Sequence, residues 1–436
     1  MASQPTEDNT PETAVLEGTP DQPVKETNRL TSLDFVRGVA VLGILFANIV
    51  AFGQPFIAYI WPPALVGGND AADNLTWLVQ FVLVDGKFRG LFSLLFGAGL
   101  FLFMERAWAR GSGRGLQMRR LFWLLLFGVS HFFLIWIGDI LSLYAVWGMV
   151  ALTMMKWRAK SQMVTGVILL WLGALFMVGA MGSQYVMGVG TEPMAGVPAE
   201  AIEEIRALPT TKLDMSAEAA ELYGEASYPE IVEETVTTRW SWWLKQVLFV
   251  GPTETLAWIL IGMAYYRRGL FSGEYDNAKL KRRGWLWFGL GSVLALVIGW
   301  WPYSTGFEMF ATMLSFNGLG RLAQIPQVFG LLFLLVAYAP AAVKTGIGQR
   351  FVAAGRVAFT NYLGTSVVMM FIFHGWALGL YGELGRPELA LVVFATWAFM
   401  LWWSKWWLER YRYGPLEWLW RCLTYGRRFP IKRDAA

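Results

Sequence analysis

Long apolar runs recur along this chain at approximately 33–53, 88–105, 121–137, 140–155, 161–182, 244–264, 285–302, 321–340, 356–376 and 388–408. An α-helix needs about 17–25 apolar residues to cross a bilayer's hydrocarbon core. The pattern therefore predicts an all-α, polytopic transmembrane helix bundle of about ten spans. Several runs contain Gly, which spanning helices tolerate. A shorter apolar stretch at 74–87 reads as an interfacial lead-in to the second span.

The polar positions between the runs set the orientation. Arg106–Arg120, Lys156–Lys160, Arg267–Arg283, Lys344–Arg356 and the tail from Arg410 hold dense Lys and Arg. With an even number of spans these loops share one side, which the positive-inside rule makes the cytoplasm, with both termini there. The segment 183–240 then lies outside. It is acidic and reads either as a solvated cap or as a lid over an external acceptor site. Residues 1–28 lack aromatics and are rich in Pro, Thr and acidic residues, so they read as a disordered cytoplasmic tail. They also lack the basic n-region of a cleaved secretory signal. The expected organisation is this tail, a five-span bundle over 29–182, the external loop 183–240, a second five-span bundle over 241–408, and a basic interfacial tail over 409–436.

Composition agrees with this reading and narrows the chemistry. Hydrophobic residues make up 56% and charged residues 16%, against roughly 25% charged in soluble domains. Two His and one Cys exclude His- or Cys-rich metal sites and a disulfide framework. The net charge of +4 belongs to the cytoplasmic loops, and no module for binding nucleic acid is visible. Walker, zinc-helix, serine-elbow and dinucleotide motifs are absent.

Ionisable residues inside spans are costly and usually face a cavity or a partner. Three blocks carry them. In the first span, Asp34, Arg37 and Asn48 share a helical face, with Asn48 roughly 16 Å deeper than Arg37. These are an interfacial ion pair with interhelical glue, or the wall of an inward-facing cavity. At the outer start of the second span stand Asp85, Lys87 and Arg89, where pairing of the cations with Asp85 or Asp139 is the simpler reading. Ser93 and Gly97 have the spacing of close helix packing. In the third span, His131 lies roughly 16 Å beyond Arg120 on the same face. Asp139 follows in a Gly-Asp turn and either orients an imidazole or caps the next helix. A neutral imidazole is a suitable general base near pH 7. Asn361 and Tyr362 sit in the ninth span, and His374 at its outer end ranks below His131. In the tail, Glu417 and Arg421 have i,i+4 spacing and form an expected pair.

The run from Arg29 to Asn48, the GKFRGLFSLLFGAG block, the RRL…GVSH…GDIL block, the Asn361-Tyr362 pair and the GPLEWLWRCLTYG tail resemble the bacterial YeiB-like family of multi-pass membrane proteins, a domain-of-unknown-function family (DUF 418). That resemblance implies a bacterial inner-membrane protein. More distantly, Arg29-Leu30, Ser32, Asp34, Arg37-Gly38 and Asn48 look similar to the first span of the heparan-alpha-glucosaminide N-acetyltransferase group. That group takes acyl groups from cytoplasmic acyl-CoA and acylates a sugar on the far side. The resemblance implies acyl-CoA as co-substrate with no resident cofactor, and an external glycan or small acceptor. Arg37 and Arg120 are then expected to meet CoA phosphates. His131 is expected to act as base, with Asn48 and Asp139 placing groups, and Asp34, Lys87, Arg89 and Asn361 to contact substrate. The group's active-site His has no counterpart in 49–87, and His131 takes that role by position alone. Two other readings of the same polar stripe are a transporter of a small organic solute and a structural or regulatory membrane protein.

Overall fold

A computed structural model describes residues 31–190 and 196–433. The acidic tail 1–28, Arg29 and Leu30 lie outside the described residues. Every named element among the described residues is helical. The first half contains α1 (Thr31–Gly53), α2 (Phe56–Ile60), α3 (Ala71–Leu83), α4 (Lys87–Ala109), α5 (Arg114–Leu134), α6 (Leu141–Thr153) and α7 (Ala159–Val189). Then come α8 (Ala199–Arg206), α9 (Leu208–Glu225) and α10 (Tyr228–Thr238). α11 (Trp240–Lys245) runs through a π-helical stretch, Gln246–Leu256, into α12 (Ala257–Arg267). After α13 (Asn277–Ser304), α14 (Met309–Met313) runs through a second π-helical stretch, Leu314–Leu319, into α15 (Gly320–Ala342). The chain ends with α16 (Gly346–Arg356), α17 (Ala358–Phe373), α18 (Arg386–Arg410) and α19 (Pro415–Tyr425).

Among the described residues, seven helical stretches are long and apolar enough to cross a membrane, and α16 with α17, bent by 83°, makes up to eight. The other two of the ten expected spans are α5 and α6. Arg119, Arg120 and His131 dilute the apolar character of α5, and the 13 residues of α6 reach only about 20 Å. The two pack together as a hairpin. The 74–87 stretch falls on α3 and on the turn that ends it at Gly86, whose backbone is left-handed. Together α3 and α4 make one apolar stretch, Ala71–Ala109, of 39 residues.

Small residues set the closest helix contacts. A Cβ on Gly97 of α4 would overlap the Ile259 carbonyl of α12, and one on Gly262 of α12 would overlap the Leu94 carbonyl. Gly38 of α1 and Gly355 of α16 meet in the same way, against Phe351 and Asp34 carbonyls. Lipid-facing positions of α7, α13 and α18, such as Phe176, Val293 and Leu391, stay exposed and apolar, as a bilayer solvent requires.

The helices α8–α10 fold back over one end of the bundle. Ser216 donates to the Ala64 carbonyl at 3.1 Å, and the Tyr228 hydroxyl donates to Leu134 at 2.9 Å. The Gly375 amide donates to Tyr223 at 2.9 Å. The acidic segment is thus a packed cap, and the α5–α6 turn reaches the same side as the cap.

Candidate functional site

A cavity of about 320 Å³ runs along one face of α4. Phe92, Phe96, Gly99, Phe103, Arg106 and Arg110 line it at the three- or four-residue steps of a single helical face. From Phe92 to Arg110 that face spans roughly 27 Å, close to the thickness of a hydrocarbon core. Helices α1, α5, α6, α16, α17 and α19 supply the other walls.

One end of the cavity is cationic. Arg37, Arg106, Arg110, Arg120, Arg356 and Arg421 line it against two carboxylates, Asp34 and Glu417, an excess of four positive charges. Asp34 holds Arg37 at 2.8 Å, one turn away on α1. The Arg120 guanidinium lies between Phe103 and Trp420, 4.8 Å and 4.3 Å from their ring centres. Such stacking fixes the plane of a guanidinium and leaves its N–H groups for other partners.

The helix α19 forms one wall and is pinned to both α5 and α17. Trp420 donates to the Arg120 carbonyl at 2.8 Å, and Arg119 donates to Thr424 at 3.3 Å. Glu417 accepts from the Phe359 and Thr360 amides at 2.8 Å and 3.0 Å and from the Thr360 hydroxyl at 2.5 Å. It thereby caps α17, whose own N-cap residue, Val357, offers no side-chain acceptor. Burial pushes the Glu417 carboxyl above its ordinary range, against the pull of these donors. The expected Glu417–Arg421 pair is not formed. Arg421 lies over the Tyr413 ring at 4.2 Å instead.

The deep end is apolar, with Leu95, Leu124 and Leu141, and Tyr144 and Tyr362 line it. Behind Tyr362 sits His131, 1% exposed, with ring centres 5.3 Å apart. His131 itself does not line the cavity. Its Nδ1 is 3.0 Å from Asp139. Asp139 also accepts from the Leu141 and Ser142 amides at 3.0 Å and 2.8 Å, capping α6. A carboxylate only accepts, so in the neutral ring Nδ1 carries the proton and Nε2 presents its lone pair. That Nε2 is buried and has no hydrogen-bond partner among the described residues.

Two comparisons bear on ancestry. The family model "Protein of unknown function (DUF418)" matches residues 265–427. The chain is 32% identical to "Uncharacterized protein YxaH" of Bacillus subtilis (strain 168), over 94% of this chain and 98% of that protein. It is 30% identical to "Uncharacterized protein YeiB" of Escherichia coli (strain K12), over 91% and 96%. The chain belongs to the DUF418 family. A further relative, "Uncharacterized 39.9 kDa protein in amylase 3'region" of Bacillus acidopullulyticus, is 27% identical over 95% of this chain and 99% of that protein. The region matched by the DUF418 model holds Arg356, Tyr362 and all of α19, whereas Arg37, Arg120 and His131 precede it.

Not every candidate residue in this DUF418 protein joins the cavity. Asp34, Arg37 and Arg120 do. Asn48 is half-buried on α1 and lies outside the lining. Asn361 pins three helices: its amide donates to the Ala354 carbonyl at 3.2 Å and to Ser404 at 3.1 Å, and its oxygen accepts from Trp403 at 2.8 Å. Lys87 is buried and donates to the Phe81 carbonyl at 2.5 Å, while Asp85 accepts from Tyr59 and Gln80 at 3.1 Å and 3.2 Å. Arg89 pairs with Glu254 at 2.7 Å and not with Asp85 or Asp139. Tyr144 and Tyr362 line the cavity, yet tyrosine in an apolar run signals little by itself. Tyr362 was visible beside Asn361, but nothing in the sequence said which of the two faces the cavity.

Proposed function

We propose that this protein transfers an acyl group from cytoplasmic acyl-CoA to a hydroxyl-bearing acceptor, a glycan or small molecule, presented from the outer side of a bacterial inner membrane. One observation carries the reading. A cavity with four excess positive charges at one end follows α4 for roughly 27 Å, and its lining includes Tyr362, which packs against the His131 ring that Asp139 holds. The cationic end suits the phosphates of CoA, for which guanidinium is the better partner. The apolar depth suits an extended thioester chain.

In this reading the acceptor O–H gives its proton to His131 Nε2 as its oxygen attacks the thioester carbonyl. The C–S bond then breaks, and the CoA thiolate takes that proton back from the imidazolium. The products are an acyl ester and free CoA. Asp139 keeps the ring in the right tautomer and stabilises its charged form. The Tyr362 hydroxyl accepts from the Ile140 amide at 3.3 Å and donates to the Gly138 carbonyl across a long 3.5 Å, a weak bond that its proton exchanges for the thioester carbonyl oxygen as charge develops there. His131 needs a small movement of Tyr362 to reach the cavity.

The test uses protein in nanodiscs. Calorimetric titration with acetyl-CoA should show binding that Arg120→Ala weakens at least tenfold. Mass spectrometry should show acylated product that His131→Ala abolishes while leaving acetyl-CoA affinity intact. Absence of acetyl-CoA binding, or full transfer by His131→Ala, overturns the reading.

A further inference from the structure

The helices α4, α12 and α15 all have their C-terminal ends beside the basic cytoplasmic loops, so their N-terminal ends share the outer half. A second charged cluster sits there. Glu254 accepts from Arg89 Nε at 2.7 Å through one carboxylate oxygen and from Arg321 Nη1 at 3.1 Å through the other. Arg321 Nε donates to the Asn317 carbonyl at 2.9 Å. Two guanidiniums around one carboxylate leave one uncompensated positive charge.

The exposure is uneven. The Glu254 side chain is 12% exposed and that of Arg89 45%. The Nε of Arg89 faces the carboxylate, and its two Nη groups make no hydrogen bond among the described residues. The backbone around the cluster is unusual. Glu254 lies within one π-helical stretch, and Arg321 is two residues past the end of the other. Such stretches are rare and occur often at functional sites. The Glu254–Arg321 pair ties the two together.

The cluster is also close to the deep end of the cavity. Arg89 stands three residues beyond Phe92 on α4, about one helical turn. Ser93 bridges the gap. Its hydroxyl donates to the Arg89 carbonyl at 2.8 Å and accepts from Tyr144, a cavity-lining residue, at 3.0 Å.

We infer that Arg89, Glu254 and Arg321 form a second binding site on the outer side, for a phosphate that carries an adjacent free hydroxyl. The open Nη fork of Arg89 takes the phosphate oxygens, and the Glu254–Arg321 pair orients the fork. A lipid headgroup and a soluble glycerol or sugar phosphate share this chemistry. Within the acyl-transfer reading, on which this part rests, the site is the acceptor subsite, and its hydroxyl lies toward Tyr144 and the end of the thioester cavity.

Two probes separate the sources. Native mass spectrometry measures retention of phosphatidylglycerol against phosphatidylcholine. Titration with sn-glycerol 1-phosphate in phosphatidylcholine nanodiscs measures soluble binding. Wild-type protein should bind in one of the two arms. Arg89→Gln should weaken that binding at least tenfold, and Arg89→Lys should retain more of it. Both variants should keep the wild-type Tm, because Glu254 retains Arg321. Binding in neither arm, or equal binding by Arg89→Gln, overturns the site. Wild-type protein that binds a phosphate probe through Arg89 but not acetyl-CoA keeps the site and removes the acyl-transfer reading. Acetyl-CoA binding without either phosphate probe does the reverse.

Discussion

Asp139 serves two structures at once, and substitutions can separate them. One oxygen of Asp139 serves both His131 Nδ1 and the Leu141 amide, and the other serves Ser142. Asp139→Asn, with its amide donor toward His131 Nδ1, therefore keeps an acceptor for Ser142 and loses the one for Leu141. The imidazole then carries its proton on Nε2 and loses its basic lone pair. Transfer should fall by about 10²–10⁴-fold, while the loss of stability stays near 1 kcal/mol or less. Asp139→Ala removes the cap entirely and should cost about 1–2 kcal/mol more. Rates measured beside thermal unfolding would distinguish them, and equal rates in Asp139→Asn and wild type would remove Asp139 from the chemistry. The His131–Asp139 pair was legible because imidazole is so scarce here and because a Gly-Asp turn follows within reach. Partners distant in sequence were not legible. Glu254 lies 165 residues from Arg89, and nothing in either local pattern names the other. Asn48 shows the opposite failure. A helical wheel correctly groups it with Arg37 by angle, but it does not say which neighbouring helix covers each height of that face.

Among the elements, α19 lies in the tail read from sequence as basic and interfacial, and its role in the cavity wall came only with the fold. Its Glu417 supplies the N-terminal acceptors that α17 lacks, and its Trp420 holds Arg120 at the cavity wall. Glu417→Ala leaves the Phe359 and Thr360 amides without these acceptors, at a cost of about 1–3 kcal/mol. The free thiol of Cys422, in the same helix and half-buried, is a built-in reporter. Maleimide labelling of Cys422 should speed up in Glu417→Ala and acetyl-CoA affinity should drop, since the wall carrying Trp420 and Arg421 loosens. Unchanged labelling would mean that α19 is held without Glu417. The α5–α6 hairpin shows why spans are harder to count than to detect. Apolar runs at 121–137 and 140–155 satisfy a hydropathy reading, yet the polar groups that build the candidate site lie within and between them. The same residues weaken the membrane signal and build the candidate site.

At the scale of the molecule, the cap formed by α8–α10 rests on a buried histidine. His374 accepts at Nδ1 from the Trp376 indole at 3.2 Å, and its ring packs against Tyr223 of α9 at 5.2 Å. Burial lowers its pKa from 6.5 to about 4, so it stays neutral in the folded protein at neutral pH. A base whose folded pKa is depressed contributes stability in full above its unfolded pKa. That contribution is lost as pH falls through the folded value, because the open form then binds the extra proton. Docking of the cap should therefore weaken between pH 6.5 and 4 by up to about 3 kcal/mol. Protonation also replaces the Nδ1 acceptor with a donor and breaks the Trp376 bond. Limited proteolysis or hydrogen exchange across α8–α10 should show opening at pH 5 in wild-type protein. His374→Asn, which has no titratable ring and keeps an acceptor oxygen, should flatten that dependence. A cap equally protected at pH 5 and pH 7.5 would show that His374 is protonated without cost and that other contacts hold the cap. Opening that persists unchanged in His374→Asn would move the titrating group to the acidic residues of the cap itself. That result would make the charge pattern of the segment, rather than its seating on α17, the control over access to that end of the bundle.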